Sequence, residues 1–260
     1  MPRLNSFHLP APAWGAAPAK GDLVTLTGAE ARHLLSVLRA KPGDEVRLFD
    51  GQGREGLFAV HGVQGKASAE LQALELVVTP APICGITLAI GWNKSSRRDW
   101  LLEKAVELGA QGLLFWRSAR SQGEPPAEPK DSWTDKLIQA AKQCGAPWLP
   151  QLGCVSGGLA GLLRLGPGFD SRHVLWEGAE RDALLRPQAL TKGRALVVVG
   201  PEGGLENTEA QALLQAGFAA ASLGPRPLRW ETAALHCLSL GYHALLAKAE
   251  PGTPSNREEG

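Results

Sequence analysis

An α/β fold with a small β-barrel ahead of it is what this sequence predicts, and three features carry the prediction. Residues 20 to 75 alternate apolar and polar positions in short runs separated by glycine turns. After Gly85 the rhythm changes to strand followed by helix, several times over. Between the two, "VVTPAPICG" sets Pro80 and Pro82 where regular strand pairing must break. A chain of 260 residues has room for both parts. The expected division is 1–78, 79–248, and a C-terminal tail, 249–260, with nothing to bury.

In the first part, "DLVTLTG", "EVRLFDG" and "GLFAVHGV" alternate as half-buried strands, with "PGD" and "DGQG" as the turns. One helix interrupts them in "GAEARHLLSVLRAKPGD", where Leu34, Leu35 and Leu38 share a face and Pro42-Gly43 is the stop. Short strands at this spacing suggest a barrel. In the second part "ITLAIGW" is a strand, followed by a helix from Arg97 to Leu108 with Trp100, Leu101, Ala105 and Leu108 on one side. "GLLFWRS" is the next strand and "SWTDKLIQAAKQCG" the next helix; "HVLWEG" and "ALVVVG" are two further strands. Thr208 opens another helix through a capping box with Gln211, "AASLG" is the last strand, and the final helix begins near Glu231. That alternation means a parallel sheet covered by helices on both faces.

Composition excludes several classes. A net charge of +1 leaves no blanket affinity for polyanions, so any nucleic-acid contact must come from local basic clusters. Cys84, Cys144, Cys154 and Cys237 form no Cys-x-x-Cys pair and no zinc spacing with histidine, so inert free thiols and no metal are expected. No run approaches the ~18 apolar residues of a membrane span, and "MPRLNSFHLP" has no signal-peptide core. A cytoplasmic location is expected.

The stretch "VVVGPEGGLENTEA" is the first sign of a site. In open parallel sheets, ligands bind beyond the carboxyl ends of the strands, and Gly200 to Gly204 occupies that place. Glycine at Gly203 and Gly204 would let a ligand meet the main chain directly. The loop lacks Gly-Lys-Ser/Thr and Gly-x-Gly-x-x-Gly, and Glu202 would repel phosphate, which favours a neutral or cationic ligand over a nucleotide. A second loop, in "SLGPRPLRWETAALHCL", is stiffened by Pro225 and Pro227 and puts Arg229 and Glu231 at the rim of the same pocket. Taken alone, the first loop also reads as a tight turn, and Arg229 with Glu231 as a helix-start ion pair.

"GPEGG" after an apolar strand and "LG…LRWETAA" before the last helix together resemble the RsmE family of 16S ribosomal RNA methyltransferases, of the SPOUT superfamily. "MPRLNSF", "HLLSVLRAKPGDEVRLFDGQG", "KSSRRDWLLEKAVELGAQGLLFWRSARS" and "AAKQCGAPWLP" resemble its other blocks in the same order, over residues 1 to 246. The resemblance implies a PUA-like RNA-binding barrel followed by a trefoil-knotted parallel sheet. It implies an enzyme that uses S-adenosylmethionine to methylate N3 of a uridine in 16S RNA of the small ribosomal subunit, and a homodimer. Rival readings are a ribosome-assembly factor without catalysis and a methyltransferase of the same fold acting on another RNA. Two departures stand out: Ala146 where the family carries arginine, and Pro227 where it carries an aliphatic residue.

By the same resemblance, main-chain groups of three loops hold the adenine of S-adenosylmethionine: Leu175, Trp176 and Glu177; Val199, Gly200, Pro201, Glu202, Gly203 and Gly204; and Leu223, Gly224, Pro227 and Leu228. Glu202 either faces the sulfonium or braces its loop. Uracil N3 is a poor nucleophile until its proton leaves, so the site needs a base or a group that stabilises the uracilate. Arg229 is the candidate for neutralising charge on the uracil carbonyl oxygens. Glu231 either accepts the N3 proton or orients Arg229, the second being favoured because an ion-paired carboxylate is a weak base. RNA contacts fall to Arg3, Arg32, His33, Arg39, Lys94, Arg97, Arg98, Arg117 and Arg120, with His33 equally readable as structural and Arg97 and Arg98 as a solvated helix face.

Overall fold

The computed structural model describes residues 4–15, 19–180 and 183–248. Arg3 and the tail 249–260 lie outside the described residues. The chain divides into two compact units, one made of the chain up to Ala81 with Asp135–Leu149, the other of Pro82–Thr134 with the chain from Pro150 onward.

In the first unit, β1 (Ser6–His8), β2 (Leu23–Thr27), β3 (Glu45–Phe49), β4 (Arg54–Val63) and β5 (Ser68–Val78) form one sheet in the order β1-β3-β4-β5-β2. β1 lies parallel to β3, and the other pairs are antiparallel. β1 and β2 are edges, so the expected barrel is a half-barrel among the described residues. Strand alternation sends Val24, Leu26, Leu48, Phe58 and Leu71 inward, onto Phe7, Trp14 and Leu34. The Trp14 indole donates to the Leu9 carbonyl at 2.6 Å, which satisfies the polar atom that this ring brings inside.

The predicted helix is shorter than expected. It runs as α1 (Gly28–Arg32) and then a π-turn over His33–Val37, and ends three residues before Pro42, at Arg39 with φ 55°. The Ala40 N–H closes the end on the Leu34 carbonyl at 3.1 Å. The wider π-turn breaks the spacing on which the shared leucine face rested: Leu34 is buried, whereas Leu38 is 36% exposed.

The second unit is a six-stranded, wholly parallel sheet in the order β11-β9-β10-β6-β7-β8. Its strands are β6 (Gly85–Gly91), β7 (Gly112–Trp116), β8 (Gln151–Val155), β9 (Ser171–Leu175), β10 (Arg194–Val199) and β11 (Ala219–Ala221). The helices are α2 (Arg97–Glu107), α3 (Asp131–Cys144), α4 (Gly158–Leu165), α5 (Asn207–Gln215) and α6 (Trp230–Lys248); α3 passes from one unit to the other at Asp135. β6 is buried at every position and β10 at all but its first, as befits central strands covered on both faces. β1, β5, β8 and α4 were not predicted. Leu101, Leu102, Ala105 and Val106 are the buried residues of α2; Trp100, expected with them, is 47% exposed.

Helix α5 is capped differently from the expectation. Glu206 is the N-cap and Glu209 the returning carboxylate, in place of Thr208 and Gln211. Glu209 is buried because it also reaches outside its helix: one oxygen accepts from Glu206 N–H at 3.1 Å, the other from Ala119 N–H at 2.8 Å. The helix start and the loop after β7 are thereby one piece.

Candidate functional site

Strand order does the assembling. β9 lies between β11 and β10, and register aligns Ala221, Leu175 and Val199 across the three strands. The three segments singled out from the sequence therefore leave the sheet side by side: 175–177, 199–204 and 223–228. Trp176 N–H donates to the Ala221 carbonyl at 3.2 Å, which holds the first against the third. Ser222 then pairs with the chain between β9 and β10, donating to the Ala183 carbonyl at 2.7 Å and accepting from Leu185 N–H at 2.8 Å.

The glycines of the middle loop are explained partly within the protein. A Cβ on Gly203 would come 3.3 Å from Cβ of Arg120, whose guanidinium donates to the Gly203 carbonyl at 3.0 Å. Gly204 has φ 72°, a left-handed conformation that costs other residues about 1 kcal/mol, and its N–H closes a turn on the Pro201 carbonyl at 2.9 Å. What the loop leaves over are main-chain donors. The N–H groups of Glu202, Gly203, Leu223 and Leu228 make no hydrogen bond to another described residue. Unpaired peptide groups on adjacent loops are what a heteroaromatic edge such as adenine needs for recognition, so the residues present fit S-adenosylmethionine. Glu202 is exposed and has no ion-pair partner among the described residues. Pro227 is exposed, and its missing N–H leaves no buried gap.

Arg229 immediately precedes α6, exposed, its side chain without a partner among the described residues. Glu231 is 4% exposed and does not pair with it. Its Oε1 accepts from Arg97 Nη1 at the start of α2, while Oε2 is buried without a donor. The expected Arg229–Glu231 pairing is thus corrected to Arg97–Glu231: Glu231 sits in the first turn of α6, where it meets the first turn of α2 rather than the chain it has just left.

The predicted basic residues divide. Arg98 is not a surface cation: its guanidinium lies 4.3 Å from the Trp92 ring and 5.0 Å from the Trp133 ring, with Nε and Nη1 buried. This burial lowers its pKa below the usual guanidinium range. Arg97 is taken by Glu231 and Arg120 by Gly203, and Arg117 pairs with Glu124 at 2.5 Å. Lys94, Arg32, His33 and Arg39 are exposed. Trp230 is buried and lines a narrow cavity with Trp92, Asn93, Arg98 and Phe115. The sequence reading missed Asn93, Trp133 and Glu209; a polar residue just past an apolar strand was the available signal for Asn93.

All four cysteines are free, and burial pushes the Cys237 thiol up to about 12. Among the described residues no group of three or more His, Cys, Asp or Glu could hold a metal ion, and no helix is long and apolar enough to cross a membrane.

Comparison with known proteins agrees with this geometry. Residues 79–241 match the model of the RNA methyltransferase domain, and residues 26–74 that of the RNA methyltransferase PUA domain. The ribosomal RNA small subunit methyltransferase E of Bacillus subtilis is 28% identical over 238 residues, 87% of this chain and 92% of its own. The enzyme of the same name from Neisseria gonorrhoeae, solved with S-adenosylmethionine bound, superposes with a TM-score of 0.76 at 28% identity, covering 91% of this chain and 95% of its own. A Legionella pneumophila protein described as a methyltransferase, solved with the same cofactor, gives a TM-score of 0.78 at 26% identity, covering 93% and 98%.

Proposed function

Because this chain belongs to the RNA methyltransferase domain family, we propose that it transfers the methyl group of S-adenosylmethionine to N3 of a uridine in 16S ribosomal RNA of the small subunit. The observation that carries this reading is the alignment of three strand ends at Ala221, Leu175 and Val199, with unpaired main-chain N–H groups just beyond them. The B. subtilis and N. gonorrhoeae relatives, both named as small-subunit ribosomal RNA methyltransferases, support the substrate class.

When bound, S-adenosylmethionine supplies an electrophilic methyl group on a sulfonium. Main-chain groups of 175–177, 199–204 and 223–228 hold it. Arg229, unpaired among the described residues, places its guanidinium at the rim, where it stabilises negative charge on the uracil oxygens as the N3 proton leaves. Glu231 is a positioning residue: by locking the first turn of α6 to Arg97 it fixes the backbone from which Arg229 projects. Arg120 does the same for the Gly203 loop. Arg32, Arg39, Lys94 and Arg117 are proposed to meet RNA with phosphate contacts that position without reading sequence, and His33 to meet it through its ring.

We extend the proposal to organisation. Residues 1–78, with 135–149 in the same compact unit, form the RNA-holding part, and the remainder of 79–248 the catalytic one. The path from β11 past Ala183–Leu185 and into α6, where Gly241 lies against Ile86 and Leu190, supports a trefoil knot. Exposed Trp100, Tyr242 and Leu246 support a homodimer, and the substrate class a cytoplasmic location. The test is nucleoside mass spectrometry of 16S RNA after incubation, free or in small subunits, with the purified protein and isotope-labelled S-adenosylmethionine. One labelled 3-methyluridine is expected; label on a ribose, on another base, or nowhere would overturn the assignment.

A further inference from the structure

We infer that the first unit carries a pocket that reads one unstacked nucleobase of the RNA substrate, a site separate from the methylated uridine. The inference rests on the RNA reading above. A cavity of about 260 Å³ lies between the start of β1 and the later part of α3, both within that unit. Its walls are Asn5, His33, Gln139 and Gln143, and Phe7 lies wholly buried at its base. Gln139 and Gln143 are four residues apart and so share one face of α3.

The charges decide what fits. Lys142 lines the cavity, but its ammonium donates to both oxygens of Glu30, at 3.0 and 2.9 Å, and lies 5.1 Å from the Phe7 ring centroid. No other lysine or arginine among the described residues lines the cavity. Among those residues a phosphate would meet no available strong cation there. The side-chain amides of Asn5, Gln139 and Gln143 have no hydrogen-bond partner among the described residues, and each offers donors and an acceptor. Beside them stands the exposed His33 ring, held edge-on by Phe7 at 5.7 Å. A flat, neutral ligand with donors and acceptors on its edge satisfies this set, which is the chemistry of a base splayed out of a single strand. Among the bases, adenine is best matched, since an amide side chain pairs with its N6 and N7 in a bidentate manner.

A second observation points to the same place. His33 begins the π-turn, and Arg39, closing that segment, is the one non-glycine residue with positive φ among the described residues. Irregular backbone of this kind concentrates at functional sites. Arg32 and Arg39, both exposed, bracket the segment and are placed to meet flanking phosphates.

The test compares fluorescently labelled hexamers of adenylate and uridylate, by anisotropy, on the wild type and on two variants: His33→Ala, and the double substitution Gln139→Ala with Gln143→Ala. The wild type binds the adenylate strand more tightly, and each variant loses about tenfold on that strand while uridylate binding holds. In methylation assays with 16S RNA the variants raise KM and leave kcat and S-adenosylmethionine affinity intact, which shows that the site is folded. A wild type without base preference, or variants with unchanged KM, would overturn the pocket while leaving the methyltransfer reading standing. Absence of methyl transfer by the wild type would instead remove that reading.

Discussion

Arg229 and Glu231 are two residues apart and of opposite charge, which makes them natural partners on paper. Glu231 instead answers to Arg97, 134 residues earlier in the chain. The consequence is chemical: with the Glu231 carboxylate engaged elsewhere, no described residue neutralises Arg229 before substrate arrives. Arg229→Ala should lower kcat by ~10²-fold or more, the usual cost of losing one group that stabilises transition-state charge, and leave cofactor affinity within about twofold. Turnover and titration calorimetry check this together; near-normal turnover would discard the role. The same lesson holds for Gly203 and Gly204. Their spacing marked a loop at a strand end, but half the reason for glycine lies in Arg120, from a loop more than 80 residues away.

Glu209 shows how one side chain couples elements. It caps α5, accepts from Ala119 in the loop after β7, and so steadies the loop whose Arg120 holds Gly203. Glu209→Ala removes two hydrogen bonds to a buried carboxylate and leaves the Ala119 N–H without its partner. It should cost about 2–3 kcal/mol in urea unfolding, with weaker cofactor binding; Glu209→Gln, which keeps one acceptor, should fall between. Most of the second sheet was legible because central strands such as "ALVVV" are buried on both faces and so are apolar throughout. β8 was not, since as an edge strand it has no fully buried position and carries Gly153 and an exposed Gln151. α4 is eight residues long with two glycines, too short and too permissive to declare itself. The π-turn after α1 was hidden for another reason: leucines at helical spacing say nothing about one residue too many in a turn.

At the scale of the molecule, the site owes its existence to strand order rather than to any motif. β11, β9 and β10 are neighbours in the sheet, though β10 and β11 follow β9 by 18 and 43 residues from the end of β9 to the start of each. No local pattern announces that adjacency; the resemblance to a known family did, and the register of Ala221, Leu175 and Val199 gives its physical form. Within each unit the functional groups are likewise gathered from distant stretches: α2 and α6 supply Arg97 and Glu231 in one, the residue before β1 and α3 supply Asn5 and Gln143 in the other. The central claim is that three adjoining loops hold the methyl donor by their main chain beside Arg229. A crystal structure of the protein with S-adenosylmethionine bound tests it most directly. The account predicts the adenine bonded to peptide groups of 175–177, 199–204 and 223–228, with the methyl group turned towards Arg229; a cofactor lodged elsewhere, or held there by side chains alone, would contradict it.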